Sequence, residues 1–156
     1  MKKTLLRLAF VPAFLVSVTI FQSSCSKDEE KKLTKTDMIS RVWMQIDLIA
    51  SGAGMTQSIF DQEVPPEHQD DLFEFKTNGT FVVTEGATRE NPADPDIVAT
   101  GTWQLIDGET KIVIDPDTED AETLTIEELT TTSLKAFYVD NSAGFDIKIT
   151  SVLKAN

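Results

Sequence analysis

Few residues in this chain have side chains suited to covalent or acid–base chemistry. Cys25 is the only cysteine and so the only thiol nucleophile. His68 is the only histidine, and it lies in Val64-Pro65-Pro66-Glu67-His68-Gln69-Asp70-Asp71, an imidazole among carboxylates. That combination suits a general base or a metal ligand. A lone loop histidine beside acids is more often an exposed structural group, and no Ser or Cys nucleophile motif accompanies it. One histidine with one cysteine also falls short of a zinc ligand set. Asp115-Pro116-Asp117-Thr118-Glu119-Asp120 opens with the alternating oxygen donors of a calcium loop. It then places Asp120 where glycine is needed and Ile126 where a bidentate glutamate is needed. Glu90-Asn91-Pro92-Ala93-Asp94-Pro95-Asp96 reads as a solvated acidic loop, and nothing marks a glycosidase pair among the 26 acids. The expectation is a protein that is not an enzyme, with no catalytic residue, no metal site and no cofactor.

What precedes Cys25 gives its chemistry. Lys2, Lys3 and Arg7 lead into an apolar run from Leu8 to Phe21, followed by Gln22-Ser23-Ser24-Cys25. A basic start, a short apolar core and small residues at the end make a secretory signal. The run is too short to span a bilayer, which takes about 20 residues. Ser23-Ser24-Cys25 resembles the lipobox of bacterial lipoproteins, with Gln22 where that family usually has Leu. The resemblance implies cleavage before Cys25 and acylation of its thiol and new amino group. Two or three acyl chains anchor firmly, because each buried methylene contributes about 0.8 kcal/mol. Ser26 in place of Asp implies sorting to the outer membrane. Ser26-Lys27-Asp28-Glu29-Glu30 resembles the surface-export tag of Bacteroidota lipoproteins. The expected organisation is a signal peptide over 1–24, a lipidated tether over 25–32 and one domain over 33–156.

Removing residues 1–24 takes away three basic and no acidic residues, leaving 11 basic against 26 acidic and a net charge near −15. That excess excludes nucleic acid, whose phosphates call for Lys and Arg. It also argues against electrostatic attraction to anionic lipid heads. A domain of this length can bury a core without disulfide or metal.

The elements that must position any site read almost wholly as strands. Thr34 to Arg41 forms a short helix, with Thr34 or Thr36 as its N-cap before Asp37. Eight runs rich in Val, Ile, Thr and Phe follow, at 42–50, 71–77, 80–85, 97–106, 109–115, 122–129, 132–140 and 144–154. Asp107-Gly108 is a two-residue hairpin signal. Centred there, Trp103 stands opposite Ile112, and Gly101 opposite Ile114. The Asn141-Ser142-Ala143-Gly144 loop sets Tyr138 opposite Ile147 and Ala136 opposite Ile149. For Asn78-Gly79 a two-residue loop would mix the faces. A three-residue loop with Gly79 left-handed puts Phe75 opposite Phe81 and Phe73 opposite Val83. A one-residue slip inverts every side chain, so the three-residue loop is expected. In the first strand, Met44, Ile46 and Leu48 form an apolar set opposite in parity to Trp43, which leaves two candidates for its inward face. The pattern predicts an all-β, eight-stranded antiparallel up-and-down barrel, with a two-sheet sandwich as the alternative.

Trp43 on the first strand, Phe73-Glu74-Phe75-Lys76-Thr77-Asn78-Gly79-Thr80-Phe81, and Gly101-Thr102-Trp103 before Asp107-Gly108 resemble the lipocalin-like domains of Bacteroidota lipoproteins. Arg41 stands where that family often has Gly. The resemblance spans about residues 36–154 and implies a lumen for one small apolar or amphipathic ligand. Phe73, Phe75, Phe81, Trp103, Tyr138 and Phe145 are the candidate lining, and the plainer reading is that they fill the core. A lumen of roughly 300 Å³ or more would favour a carrier. The expected function is a lipid-anchored outer-membrane protein, exposed at the cell surface, that binds such a ligand with its mouth near the membrane. The alternative is a non-enzymatic interaction or structural protein with a filled barrel, acting through the long loops 51–70 and 86–96.

Overall fold

The computed structural model describes residues 32–89, 91, 93 and 95–156. The signal segment, Cys25 and the tether as far as Lys31 lie outside the described residues, as do Glu90, Pro92 and Asp94. The first element is helix α1, Lys35–Ile39. Thr34 caps it: its hydroxyl accepts the Asp37 N–H at 3.0 Å, and the Asp37 carboxylate accepts the Thr34 N–H at 2.9 Å. Two orphan donors are satisfied reciprocally. Ile39 ends the helix and is fully buried.

Nine strands follow: β1 Val42–Gly52, β2 Met55–Ser58, β3 Leu72–Phe75, β4 Thr80–Thr84, β5 Ile97–Ile106, β6 Lys111–Ile114, β7 Glu122–Leu129, β8 Ser133–Asp140 and β9 Ile147–Ala155. β1 and β3 to β9 pair antiparallel in chain order, and β9 returns to β1 along Trp43↔Ala155 to Ser51↔Lys148. The sheet is therefore a closed eight-stranded up-and-down barrel, as the turn pattern predicts, and not a two-sheet sandwich. Closure leaves no hydrogen-bonding edge among those eight strands.

β2 has no counterpart among the eight expected runs. It folds back on the far half of β1 through a tight turn at Ala53-Gly54, both with positive φ, and pairs from Gly52↔Met55 to Ile49↔Ser58. All four of its residues are exposed, so there is no apolar alternation to reveal it. The rest of the expected 51–70 loop holds helix α2, Phe60–Glu63, and one 3₁₀ turn, Pro66–His68.

A bulge settles the face of β1. The ladder with β9 skips from Gln45 to Asp47, leaving Ile46 unpaired and exposed. Trp43 and Gln45 face inward below the bulge. Leu48 and Ala50 share the face of their partners Ser151 and Ile149 above it. One extra residue thus switches parity, which is what a bulge does.

The expected β3–β4 register is the observed one, with Phe75↔Phe81, Phe73↔Val83 and Gly79 at φ 81°. The other two hairpins are corrections. Trp103 pairs with Ile114 rather than Ile112, because the loop holds four residues, Asp107 to Thr110, three of them with positive φ. Gly101 consequently lies beyond β6, where Asp115 accepts the neighbouring Thr102 N–H at 2.8 Å. Tyr138 pairs with Ile149 and Ala136 with Ser151, because the ladder continues to Asp140↔Ile147 and leaves six residues in the loop. Both slips are of two residues, so inward faces stay inward.

The barrel has a closed end and an open end. α1 covers the closed end: Lys35 Nζ donates to the Glu109 carbonyl at 2.6 Å, and the Arg41 guanidinium to the Thr131 carbonyl. Beneath it, Trp43 is fully buried and donates its indole N–H to the Ile39 carbonyl at 2.8 Å, with the Arg41 guanidinium 5.7 Å from its ring. Trp103 donates to the Lys76 carbonyl at 3.1 Å. Loops 53–71, 85–96, 115–121 and 141–146 surround the open end.

Candidate functional site: the barrel lumen

A cavity of about 220 Å³ lies inside the barrel. It exists because inward positions on successive strands alternate with outward ones and the inward set is apolar. Phe73, Phe75 and Phe81 form one wall, Ile112, Ile114 and Leu124 another, and Leu134, Ala136 and Leu153 a third. Phe75 is held between Phe81, with ring centroids 6.0 Å apart, and the edge-on Trp103 at 5.6 Å. Three polar residues interrupt the lining: Gln45 and Ser151 within the barrel, and Glu122 at the open end. No Lys, Arg or His lines the cavity. The volume is below the roughly 300–1,000 Å³ of common small-molecule pockets. An apolar cavity of about 150 Å³ already admits benzene. On that scale the lumen has room for a ligand of about nine non-hydrogen atoms.

Of the six aromatic residues singled out from the sequence, Phe73, Phe75 and Phe81 line this cavity. Trp103 packs below it in the buried cluster beside Phe75. Tyr138 stands at the rim, and Phe145 is half-exposed in the 141–146 loop against a smaller recess of about 150 Å³ beside the β1–β2 turn. The aliphatic lining from β6 to β9 is hidden within ordinary strand alternation. Gln45 and Glu122 are hidden because their inward orientation depends on the bulge and on the β6–β7 register, with Ile114↔Glu122.

The rim is electrically asymmetric. The inward positions Glu122, which begins β7, and Asp140, which ends β8, lie one step above Leu124 and Tyr138. Burial pushes the Tyr138 phenol above its ordinary range, helped by the nearby charges of Glu122, Asp140 and Glu63. Asp140 is held below the usual carboxylate range by hydrogen bonds from Ser142, whose N–H lies 2.8 Å away.

His68 lies outside the lumen, in a clasp between two open-end loops. Its Nδ1 is 3.1 Å from Asp71 Oδ2, and Asp71, only 5% exposed, accepts the Gly86 N–H at 3.2 Å through its other oxygen. Asp70 accepts the Ala87 and Thr88 N–H groups at 2.9 and 3.0 Å. Glu85 completes a group with His68 and Asp71 whose ligand atoms all lie within 4.8 Å of one another. Sequence spacing does not reveal that group, because Glu85 comes from the far side of a hairpin. Asp115 in the acidic loop is engaged by Thr102, as described above.

No protein-family model and no curated protein matches this chain. Among solved structures, a lipocalin-like protein from Bacteroides uniformis aligns with a TM-score of 0.46 at 15% identity, over 76% of this chain and 99% of that one. Bovine odorant-binding protein in complex with undecanal aligns with a TM-score of 0.44 at 14% identity, over 83% of this chain and 77% of that one. The same bovine protein with a selenium-containing odorant gives 0.44 at 15% identity, over 84% and 78%. The strand order and the β1–β9 closure establish the barrel independently of these matches.

Proposed function

We propose that this protein is a binding protein, anchored in the outer membrane through acyl groups on Cys25 and exposed at the cell surface, whose barrel holds one small apolar or amphipathic molecule. The observation that carries the reading is the unfilled 220 Å³ lumen with its apolar walls. Apolar surface that leaves water for such walls contributes about 25 cal/mol per Å². That favours a compact guest of about nine non-hydrogen atoms over a long acyl chain. The lumen is smaller than the roughly 300 Å³ set above for a carrier, so a barrel acting through its long loops stands as the alternative. The lining offers one carboxylate, Glu122, one hydroxyl, Ser151, and one amide, Gln45. The signal segment and Cys25 support the anchor.

The test of binding is calorimetric titration of residues 33–156 with a neutral guest such as 1-octanol. Saturable one-to-one binding is expected, and Ser151→Phe, which places a ring in the lumen, should abolish it. Unchanged affinity in that variant would place the guest elsewhere and overturn the reading. The anchor has its own test: Cys25→Ser should move the full-length protein from the membrane to the soluble fraction of expressing cells.

A further inference from the structure

We infer that the lumen selects a positively charged guest: an alkylammonium-like amine whose apolar body fills the barrel while its charge stays at the mouth beside Glu122. This deepens the binding reading above and rests on it. Glu122 is the one charged residue in the cavity lining, and it sits where the lumen opens. It has no hydrogen-bond or ion-pair partner among the described residues. Four acidic residues around the open end are engaged elsewhere: Asp140 by Ser142, Asp71 by His68 and Gly86, Asp70 by Ala87 and Thr88, and Asp115 by Thr102. What sets Glu122 apart is its place in the cavity lining. An unpaired carboxylate over an apolar cavity is a ready partner for an ammonium group, and a charge-assisted hydrogen bond there is about twice as strong as a neutral one.

The surroundings reinforce the choice. Glu63 and Asp140 lie close enough to Glu122's neighbour Tyr138 to act on it electrostatically. The open-end loops add Asp61, Glu67, Asp117, Glu119, Asp120 and Asp146, while Arg89, paired with Asp96, is the only described Lys or Arg in them. A cleft lined by one sign of charge concentrates counter-ions at its entrance. A carboxylate-headed guest of the same length meets this field with the wrong sign. With no Lys, Arg or His in the lining, it finds no cation inside.

The test compares three guests of nearly equal size, n-octylammonium, 1-octanol and octanoate, titrated into residues 33–156. Glu122 is exposed, so the ammonium is expected to bind about threefold more tightly than the alcohol, the gain of a solvent-screened ion pair, and the carboxylate more weakly than the alcohol. Salt at about 1 M, where screening reaches within about 3 Å, should narrow the ammonium advantage. Glu122→Gln should bring the ammonium-to-alcohol ratio near one. Glu109→Gln, in the closed-end loop away from this field, should leave ammonium affinity unchanged. If the alcohol binds and the ammonium binds no better, this inference is overturned while the binding reading stands. If none of the three binds, the binding reading fails and takes this inference with it. An ammonium preference that survives Glu122→Gln overturns the assignment to Glu122.

Discussion

Trp43 carries both an apolar and a polar task. Its ring is fully enclosed beneath α1, and its indole N–H reaches the Ile39 carbonyl at 2.8 Å. Trp43→Ala should therefore cost about 3–5 kcal/mol in urea-monitored unfolding. Trp43→Phe should cost less, since it keeps most of the ring volume and loses the hydrogen bond. The Asp71 clasp is also a matter of single groups. Its buried carboxylate serves His68 and Gly86 together, so Asp71→Ala should cost about 1–3 kcal/mol and free both loops to faster hydrogen exchange. Tyr138 gives a third residue-scale expectation. It is the only tyrosine, so phenolate absorbance reports it alone. Its phenol is raised by burial first and by Glu122, Asp140 and Glu63 next. Titration should show a midpoint above the ordinary value near 10. Above about pH 10 the unfolded phenol ionises while the folded one resists, so stability should fall as pH rises there. Glu122→Gln should bring the midpoint partly down, and only partly, because burial remains.

At the scale of elements, the decisive features are insertions of one or two residues. The barrel, its short N-terminal helix and the β3–β4 register are legible in the sequence, because Phe73, Phe75, Phe81 and Val83 alternate cleanly around a glycine that must be left-handed. The two longer loops are not, and each differs from its expected register by two residues. Asp-Gly and Asn-Ser-Ala-Gly mark a turn, but they do not say how far the ladder runs beside it. A two-residue slip preserves the faces, so alternation does not expose it. One of the three lumen walls is visible in the sequence as aromatic residues. The two aliphatic walls and Glu122 depend on registers that only closure of the barrel fixes. Ile46 tests this account. Deleting it removes the bulge and sends either Trp43 and Gln45 or Leu48 and Ala50 to the wrong face, so circular dichroism should show loss of the native fold. Ile46→Thr keeps the extra residue on the exposed side and should change stability by only about 0.5 kcal/mol. A stable deletion variant would show that the bulge is not what sets the inward face of β1.

Across the whole molecule, charge and chain direction both follow the barrel axis. The closed end carries both signs: Lys35, Arg41, Lys76, Lys111, Lys135 and Lys154 stand among Asp37, Glu74, Asp107, Glu109 and Glu128, with Lys76, Lys111 and Lys135 each paired to one of these acids. The open end is nearly all acid. The chain enters through α1, which covers the closed end, so the tether expected to carry the anchor joins the barrel at the end opposite its mouth. The sequence reading expects a mouth near the membrane; this point of entry favours the opposite orientation. Eight residues from Ser26 to Leu33 reach at most about 28 Å when fully extended. The ten-residue β5, tilted as barrel strands are, makes the barrel about 25 Å tall. Only a taut tether lying along the wall would bring the mouth to the lipid. If the protein is anchored as proposed above, the closed end is expected to face the bilayer and the acidic mouth to face outward, collecting its guest from solution rather than from the membrane. Single fluorophores can report this, since the acylation proposed for Cys25 would leave an introduced cysteine as the only thiol. On vesicles carrying a headgroup quencher, a label at Thr131→Cys in the closed-end loop should be quenched. One at Ala143→Cys in the open-end loop should stay bright. Equal quenching, or the reverse order, would return the mouth to the membrane and make a lipid-borne guest the better reading.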